Sequence, residues 1–433
     1  MKRLITNPRW GLWGATLGFF SGFAAVALFG PSAGRLKEAL GLSPMEVGLL
    51  VAVPALSGSL LRIPFAAWTD GNGGRRPFLV LLALSLLGMG GLTLLLNVVG
   101  LEALSHAYFP AFLLLGVLCG CGIATFSVGI GQVAYWYPHS QQGRALAVYA
   151  GVGNLAPGLF SLLLPWALAS WGLPGSYLAW TLFLALGLSF YLLVGVNAPY
   201  FQLLAQGLPP AEAQEKARRL GQELFPRGNL KESLLISARN WRTWFLVGIY
   251  FTTFGGFIAL TAWLPTYFRE FHGLSPIAAG MLTALYSLLT SAIRIGGGVM
   301  ADKLRSGGEN TTVLALLFML AGALLLTGAE DLPLALPGVI LLALGMGVTN
   351  AAVFKLVAKE VPEAVGGAAG WVGGLGAFGG FAIPPVLAFA VNDLGSRGYA
   401  VGFVVFVFLS LCSLAAVWTL KYAPREVEAP AHD

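Results

Sequence analysis

The chain has 433 residues, of which 57% are hydrophobic and only 10% charged, with a mean hydropathy of +0.78. Soluble domains run to about half apolar and a quarter charged, so this composition excludes an ordinary soluble enzyme or binding module and marks an integral membrane protein. The formal net charge of +6 then has to be explained by where the basic residues lie along the chain.

A helix needs about 20 apolar residues to cross the hydrocarbon core. Twelve such stretches are predicted, in chain order 11–30, 46–69, 78–99, 109–131, 145–169, 177–196, 243–264, 277–300, 311–328, 335–355, 365–390 and 398–420. Lys2, Arg3 and Arg9 precede the first of them, but no small-residue cleavage site follows, so it is read as an uncleaved span.

The second span carries the first anomaly. In "LLRIPFAAWTDGNGGRRPF" (60–78), Arg62 sits among apolar residues with no acid beside it. Eight residues separate it from Asp70 at the helix end, about 12 Å at 1.5 Å per residue, which puts it near the middle of a core about 30 Å thick. A snorkelling arginine belongs nearer a helix end, and a purely structural arginine bonded to backbone carbonyls is the other plain reading.

The eighth span repeats the anomaly at a fixed offset of 232 residues. "GLSPMEVGLL" (41–50) aligns with "GLSPIAAGML" (273–282), Arg62 with Arg294, and Asp70 with Asp302. The chain therefore reads as an all-α integral membrane protein, with twelve transmembrane helices in two pseudo-symmetric six-helix bundles. The bundles are expected at 1–196 and 241–433, the second ending in a short cytoplasmic tail, with a polar connector at 197–240 holding a surface helix from Pro210 to about Leu224. Parallel six-helix repeats that meet around a midplane site are a transporter architecture.

With the N-terminus inside, cytoplasmic segments hold 19 of the 25 basic residues, and the outer loops hold only Arg35, Lys37, Arg269 and Arg397. This positive-inside asymmetry places both termini in the cytoplasm and accounts for the charge without a nucleic-acid partner. None of the nineteen acids falls at the depth of Arg62 and Arg294. Two uncompensated cations facing a central cavity repel cations and recruit an anion. A guanidinium fork matches planar oxyanions and cannot shed its proton, so a small planar monoanion is the best-matched cargo.

Other chemistries lack their residues. His106, His139, His272 and His432 lie in loops or the tail, so no embedded haem or metal ligand set is expected. Cys119, Cys121 and Cys412 lie in apolar helices, where packing is their expected role. No phosphate-binding loop is present and no nucleophile has a partnering base, so transport is expected to be secondary, with no cofactor and no enzymatic activity. Two glycine stretches, "AVYAGVGNLAPG" (147–158) and "GGAAGWVGGLGAFGGFAIP" (366–384), occupy matching places in the two halves. They suit both tight helix packing and a moving site, and Asn154 adds an amide that could face cargo.

These motifs together carry a resemblance. "DGNGGRRPF" (70–78) resembles the loop between helices 2 and 3 of the major facilitator superfamily, and "ADKLRSGG" (301–308) is a weaker second copy. The arginine pair together with "AGVGN" and "AGWVGGLGAFGGF" resembles the nitrate/nitrite porter family within it, across all twelve helices. The resemblance implies the major facilitator fold and a site in which Arg62 and Arg294 clamp nitrate or nitrite. Phe126 and Phe354 would sandwich its flat face, although lone aromatics more often face lipid or core. Tyr250 and Asn154 would donate hydrogen bonds. Gly151, Gly153, Gly370, Gly373, Gly376 and Gly379 would let helices 5 and 11 bend or slide, and Asp70, Arg75, Arg76 and Asp302 would form a cytoplasmic gate. Lacking an embedded proton carrier, the site favours nitrate/nitrite antiport by a monomer in the cytoplasmic (inner) membrane. Nitrate/proton symport, an organic-anion or drug carrier and a non-transporting anion sensor stay open as alternatives.

Overall fold

The computed structural model describes residues 4–226, 230–304 and 307–423, with the side chains of His139, Leu230 and Asp302 outside the described set. Every regular element among the described residues is helical. Eleven helical segments are long and apolar enough to cross a membrane. One of them, Ser140–Val194, has 55 residues, about twice a crossing, and it breaks at Gly172, where φ 65° and ψ −173° reverse the chain. The two crossings predicted at 145–169 and 177–196 are thus present but joined without a loop, which only a residue lacking Cβ allows at that turn.

The twelve crossings are α1 (Pro8–Ala27), α2 (Pro44–Asn72), α3 (Arg75–Val99), α4 (His106–Trp136), α5 (140–171), α6 (173–194), α7 (Trp241–Glu270), α8 (Pro276–Lys303), α9 (Gly308–Gly328), α10 (Leu332–Glu360), α11 (365–394) and α12 (398–422). The repeat seen in sequence is also a repeat of local geometry. Gly41 and Gly273 adopt φ of 65° and 64°, Ser43 and Ser275 then cap α2 and α8, and a proline opens each helix. A left-handed glycine, a hydroxyl N-cap and a proline at the first helical position together form a complete helix-start signal.

The connector departs from expectation. Its surface helix is Pro210–Arg219 and stops short of Leu224, because Gly221 turns to φ +89°. Two further helices, Pro199–Leu204 and Leu230–Arg239, flank it. Gln202 holds the segment before α1 through bonds to both the N–H and the carbonyl of Ile5, so that segment and the connector share one face of the bundle, here called the connector face. Helix Leu230–Arg239 lies along α11, where the Ser233 hydroxyl accepts from Gly367 N (3.0 Å) and Trp371 Nε1 donates to the Leu234 carbonyl (3.0 Å).

Two buried acids at helix ends are held in ion pairs. Arg242 bonds Glu360 in a buried pair between the connector-face ends of α7 and α10, and Lys359 bonds Glu309 at the start of α9. A buried pair of this kind is strongly destabilising to break, because it leaves one uncompensated charge.

Candidate functional site

On the face opposite the connector, the distal face, helices approach at backbone contact. A Cβ at Gly30 would lie 2.5 Å from the Ala262 carbonyl oxygen of α7, and one at Gly280 in α8 would lie 2.5 Å from the Ser161 carbonyl oxygen of α5. A Cβ at Gly48 in α2 would lie 2.4 Å from Ala388 Cβ of α11. Below this seam, a cavity of about 960 Å³ runs between the two chain halves from Arg62 and Arg294 past Asp70 to the connector face. Its walls come from α2, α4, α5, α8, α10 and α11, and Leu234 of the connector helix joins them.

Arg62 stands at the closed end, 1% exposed. Its Nε donates to the Gly58 carbonyl (3.0 Å), and its Nη1 donates to the Gly373 carbonyl of α11 (3.0 Å) in the other half of the chain. Its Nη2 is buried with no partner, and no acid pairs with it among the described residues. The guanidinium carbon lies 4.9 Å from the Phe126 ring centroid and 5.1 Å from that of Phe254. The structure thus offsets part of the buried charge with carbonyls and ring faces and leaves one edge of the fork open. Each cation–π contact is worth about 0.5–2 kcal/mol, less than the roughly 3 kcal/mol that a mid-bilayer arginine costs on a lenient scale.

Arg294 lines the same cavity, with its guanidinium carbon 5.8 Å from the Phe254 centroid. It makes no hydrogen bond or ion pair with a described residue, so its donors are available. Because both guanidinium groups hang over one ring, they stand no farther apart than the sum of those two distances. At an effective dielectric constant of 20, two like charges about 10 Å apart repel by about 1.7 kcal/mol, which an anion between them would turn into attraction.

Phe254 is the residue that sequence reasoning passed over. It lies one turn beyond Tyr250 on α7, stacks on the Tyr250 ring at 4.9 Å, and faces Phe126 at 6.2 Å. Phe354, expected as the second slab of the sandwich, lines the cavity and meets Tyr250 edge-on at 5.1 Å, with neither guanidinium over its ring. The available signal was the i, i+4 spacing within "YFTTFGGF", which puts Tyr250 and Phe254 on one helix face. A five-residue π segment, Phe251–Gly255, re-aims this part of α7, and such segments recur at functional sites.

Tyr250 is fully buried and its hydroxyl has no partner. Asn154 sits at the break between 140–153 and 156–171 of α5, with both side-chain polar atoms buried and unpartnered. Its carbonyl accepts from Ser291 Oγ (3.1 Å), and Ser291 lies on α8 one turn before Arg294. Neither residue lines the cavity: Tyr250 reaches the site through its stack on Phe254, and Asn154 through the bond from Ser291, which does line it. Buried polar groups are ordinarily satisfied, and Arg62 Nη2, Tyr250 Oη and the Asn154 amide are exceptions to that rule.

The six glycines divide by role. Gly151, Gly370 and Gly373 line the cavity. Gly153 packs on the Phe19 ring, Gly376 on Tyr250, and Gly379 on the backbone of the π segment. Among the described gate residues, Asp70, Arg75 and Arg76 form no ion pair with one another. Asp70 lines the cavity and accepts from Tyr135 Oη (2.6 Å), Arg75 donates to the Leu192 carbonyl (2.9 Å), and Arg76 is exposed. The Asp302 side chain lies outside the described residues.

The sequence pattern of the Major Facilitator Superfamily matches residues 15–384. Full-length relatives include the "Probable nitrate/nitrite antiporter NarK1" of Thermus thermophilus, 30% identical over 98% of this chain and 94% of that protein. The "Nitrite extrusion protein" of Bacillus subtilis strain 168 is 28% identical over 95% of this chain and 94% of its own. Among solved structures, a D-xylose-proton symporter superposes with a TM-score of 0.73 at 16% identity, covering 95% of this chain and 97% of that one. The xylose transporter XylE of E. coli, partially occluded and inward open, superposes at 0.70 and 14% identity, covering 96% and 98%. These relatives are transporters and not enzymes. With its arginine pair and glycine helices set in that fold, the chain belongs to the nitrate/nitrite porter family of the major facilitator superfamily.

Proposed function

We propose that this protein exchanges nitrate for nitrite across the cytoplasmic membrane by alternating access, serving nitrate assimilation. One observation carries the reading: a buried and a half-buried arginine contact a single aromatic ring at the closed end of a cavity, with unpartnered guanidinium donors and no acid paired with either among the described residues. Arg62 and Arg294 clamp the anion, Phe126 and Phe254 cover its faces, and Tyr250 and Asn154 supply hydrogen bonds from buried positions. The units that rock are residues 1–196 and 241–433, joined by 197–240, in a monomer with both termini cytoplasmic. In that orientation the structure is inward-open, and Asp70, Arg75, Arg76 and Asp302 come together only when the cavity opens outward. An empty site holding two fixed cations reorients poorly, which favours strict exchange.

Proton symport is the second reading, and Asp70 favours it, because a titratable carboxyl lines the cavity that leads to the arginines. Nitrate uptake into proteoliposomes separates the two. Uptake that requires internal nitrite supports exchange, and uptake into empty vesicles driven by an inward proton gradient overturns it.

Phe254→Ala is expected to raise the nitrate KM about five- to tenfold, since it removes a ring that contacts both cations. Phe354→Ala, which removes a ring under neither guanidinium, is expected to change KM less than Phe254→Ala does. Side-by-side uptake kinetics check the order.

A further inference from the structure

The distal seam holds a charged cluster that the central site does not use. Only four basic residues lie in the segments of that face, Arg35, Lys37, Arg269 and Arg397. Two of them meet across the two chain halves. Lys37, on the short helix Ala33–Leu40, bonds Glu270 at the end of α7 (3.4 Å), and Arg269 lies against Gly34, where a Cβ would sit 2.3 Å from its Nη1. Arg269 has no acid partner among the described residues. One turn before Glu270, the Thr266 hydroxyl is buried and unpartnered, with the residue 7% exposed. Gly30, Gly34, Lys37, Thr266, Arg269 and Glu270 enclose a void of about 10 Å³, room for one water and too small for a four-atom oxyanion. Partial burial lowers the His272 pKa and so disfavours a further positive charge there.

We propose that this cluster is an anion-docking site that forms when the distal side opens, and that it delivers a small oxyanion to the central arginines. The inference rests on the anion-exchange reading above. Opening must break Lys37–Glu270, an exposed pair of the kind worth little, and must lift Arg269 off Gly34. Two cations and a hydroxyl, drawn from both halves, then face the mouth with a single carboxylate among them. Such a cluster raises the local anion concentration in a manner that salt screens.

The test uses full-length protein in vesicles of defined orientation, with nitrate presented to one face at a time. Lys37→Gln and Arg269→Gln are each expected to raise the distal-face KM about two- to fivefold at low ionic strength, with the difference shrinking in high salt. Connector-face KM and kcat stay unchanged. Glu270→Gln is expected to lower the distal-face KM. The opposite signs are decisive, because Lys37→Gln and Glu270→Gln break the same ion pair. If the pair served only as a latch, both variants would shift KM in the same direction, and that result overturns the proposal, as does an unchanged distal KM in Lys37→Gln and Arg269→Gln. Absence of nitrate flux in the unaltered protein overturns the exchange reading itself, and the docking site with it.

Discussion

Nitrate affinity falls roughly 10- to 100-fold when lysine replaces either Arg62 or Arg294, the equivalent of losing one charge-assisted hydrogen bond of about 1.5–3 kcal/mol. Lysine keeps the charge and loses the planar fork. At position 62 the loss goes further, because the arginine simultaneously holds the Gly58 carbonyl, the Gly373 carbonyl of α11 and an open Nη2 edge. One ammonium cannot serve the carbonyl across the cavity and the anion in the same geometry. Arg62→Lys is therefore expected to lower both affinity and thermal stability. Arg294 makes no hydrogen bond with a described residue, so Arg294→Lys is expected to lower affinity while leaving the melting temperature near that of the unaltered chain. Nitrate titration of the purified protein, paired with thermal unfolding in the same detergent, checks both. Near-normal nitrate affinity in either variant counts against this site.

Exchange is expected to fall at least tenfold in Gly379→Val, with a stability loss of about 1–3 kcal/mol from overpacking. A Cβ at Gly379 would lie 2.5 Å from the Phe251 carbonyl oxygen and 2.9 Å from Gly255 Cα, and backbone atoms cannot swing aside as a side-chain tip can. The contact joins two irregular stretches, the π segment of α7 and the interruption of α11 at 376–378. A branched side chain there separates the helices that carry Tyr250, Phe254 and the Gly373 carbonyl. Gly151→Ala provides the contrast. No atom lies within 4 Å of its Cβ position, and alanine favours a helix by about 1 kcal/mol over glycine, so this variant is expected to fold at full stability. Any loss of exchange in Gly151→Ala then reports a close approach made in another conformation. Transport at the unaltered rate by Gly379→Val would show that the α7–α11 contact is dispensable.

The residues that were legible in advance are those whose chemistry conflicts with their surroundings. An arginine in an apolar run is conspicuous, and its recurrence 232 residues later, with the same Gly-Leu-Ser-Pro helix start, makes the repeat readable. The start motif then folds the same way twice, since φ near +65°, a serine cap and an initial proline are local requirements. Phe254 was not legible for the opposite reason. It is one of 28 phenylalanines, apolar in an apolar helix, and its i, i+4 spacing from Tyr250 marks a shared helix face without saying whether that face meets a guanidinium or lipid. Helix Leu230–Arg239 was missed as a cavity wall because its docking depends on partners in α11, more than 130 residues away. The join between α5 and α6 was missed because both flanks are apolar and only the φ of Gly172 marks the turn.

Sequence determined the class, the twelve crossings, the duplication and the two buried cations, because hydropathy, charge and offset are properties of the chain that no packing can alter. Tertiary structure decided which ring both cations share, which of their donors stay unpartnered and which face of the bundle is sealed. Those depend on distances between helices far apart in sequence, and such distances exist only once the halves have packed.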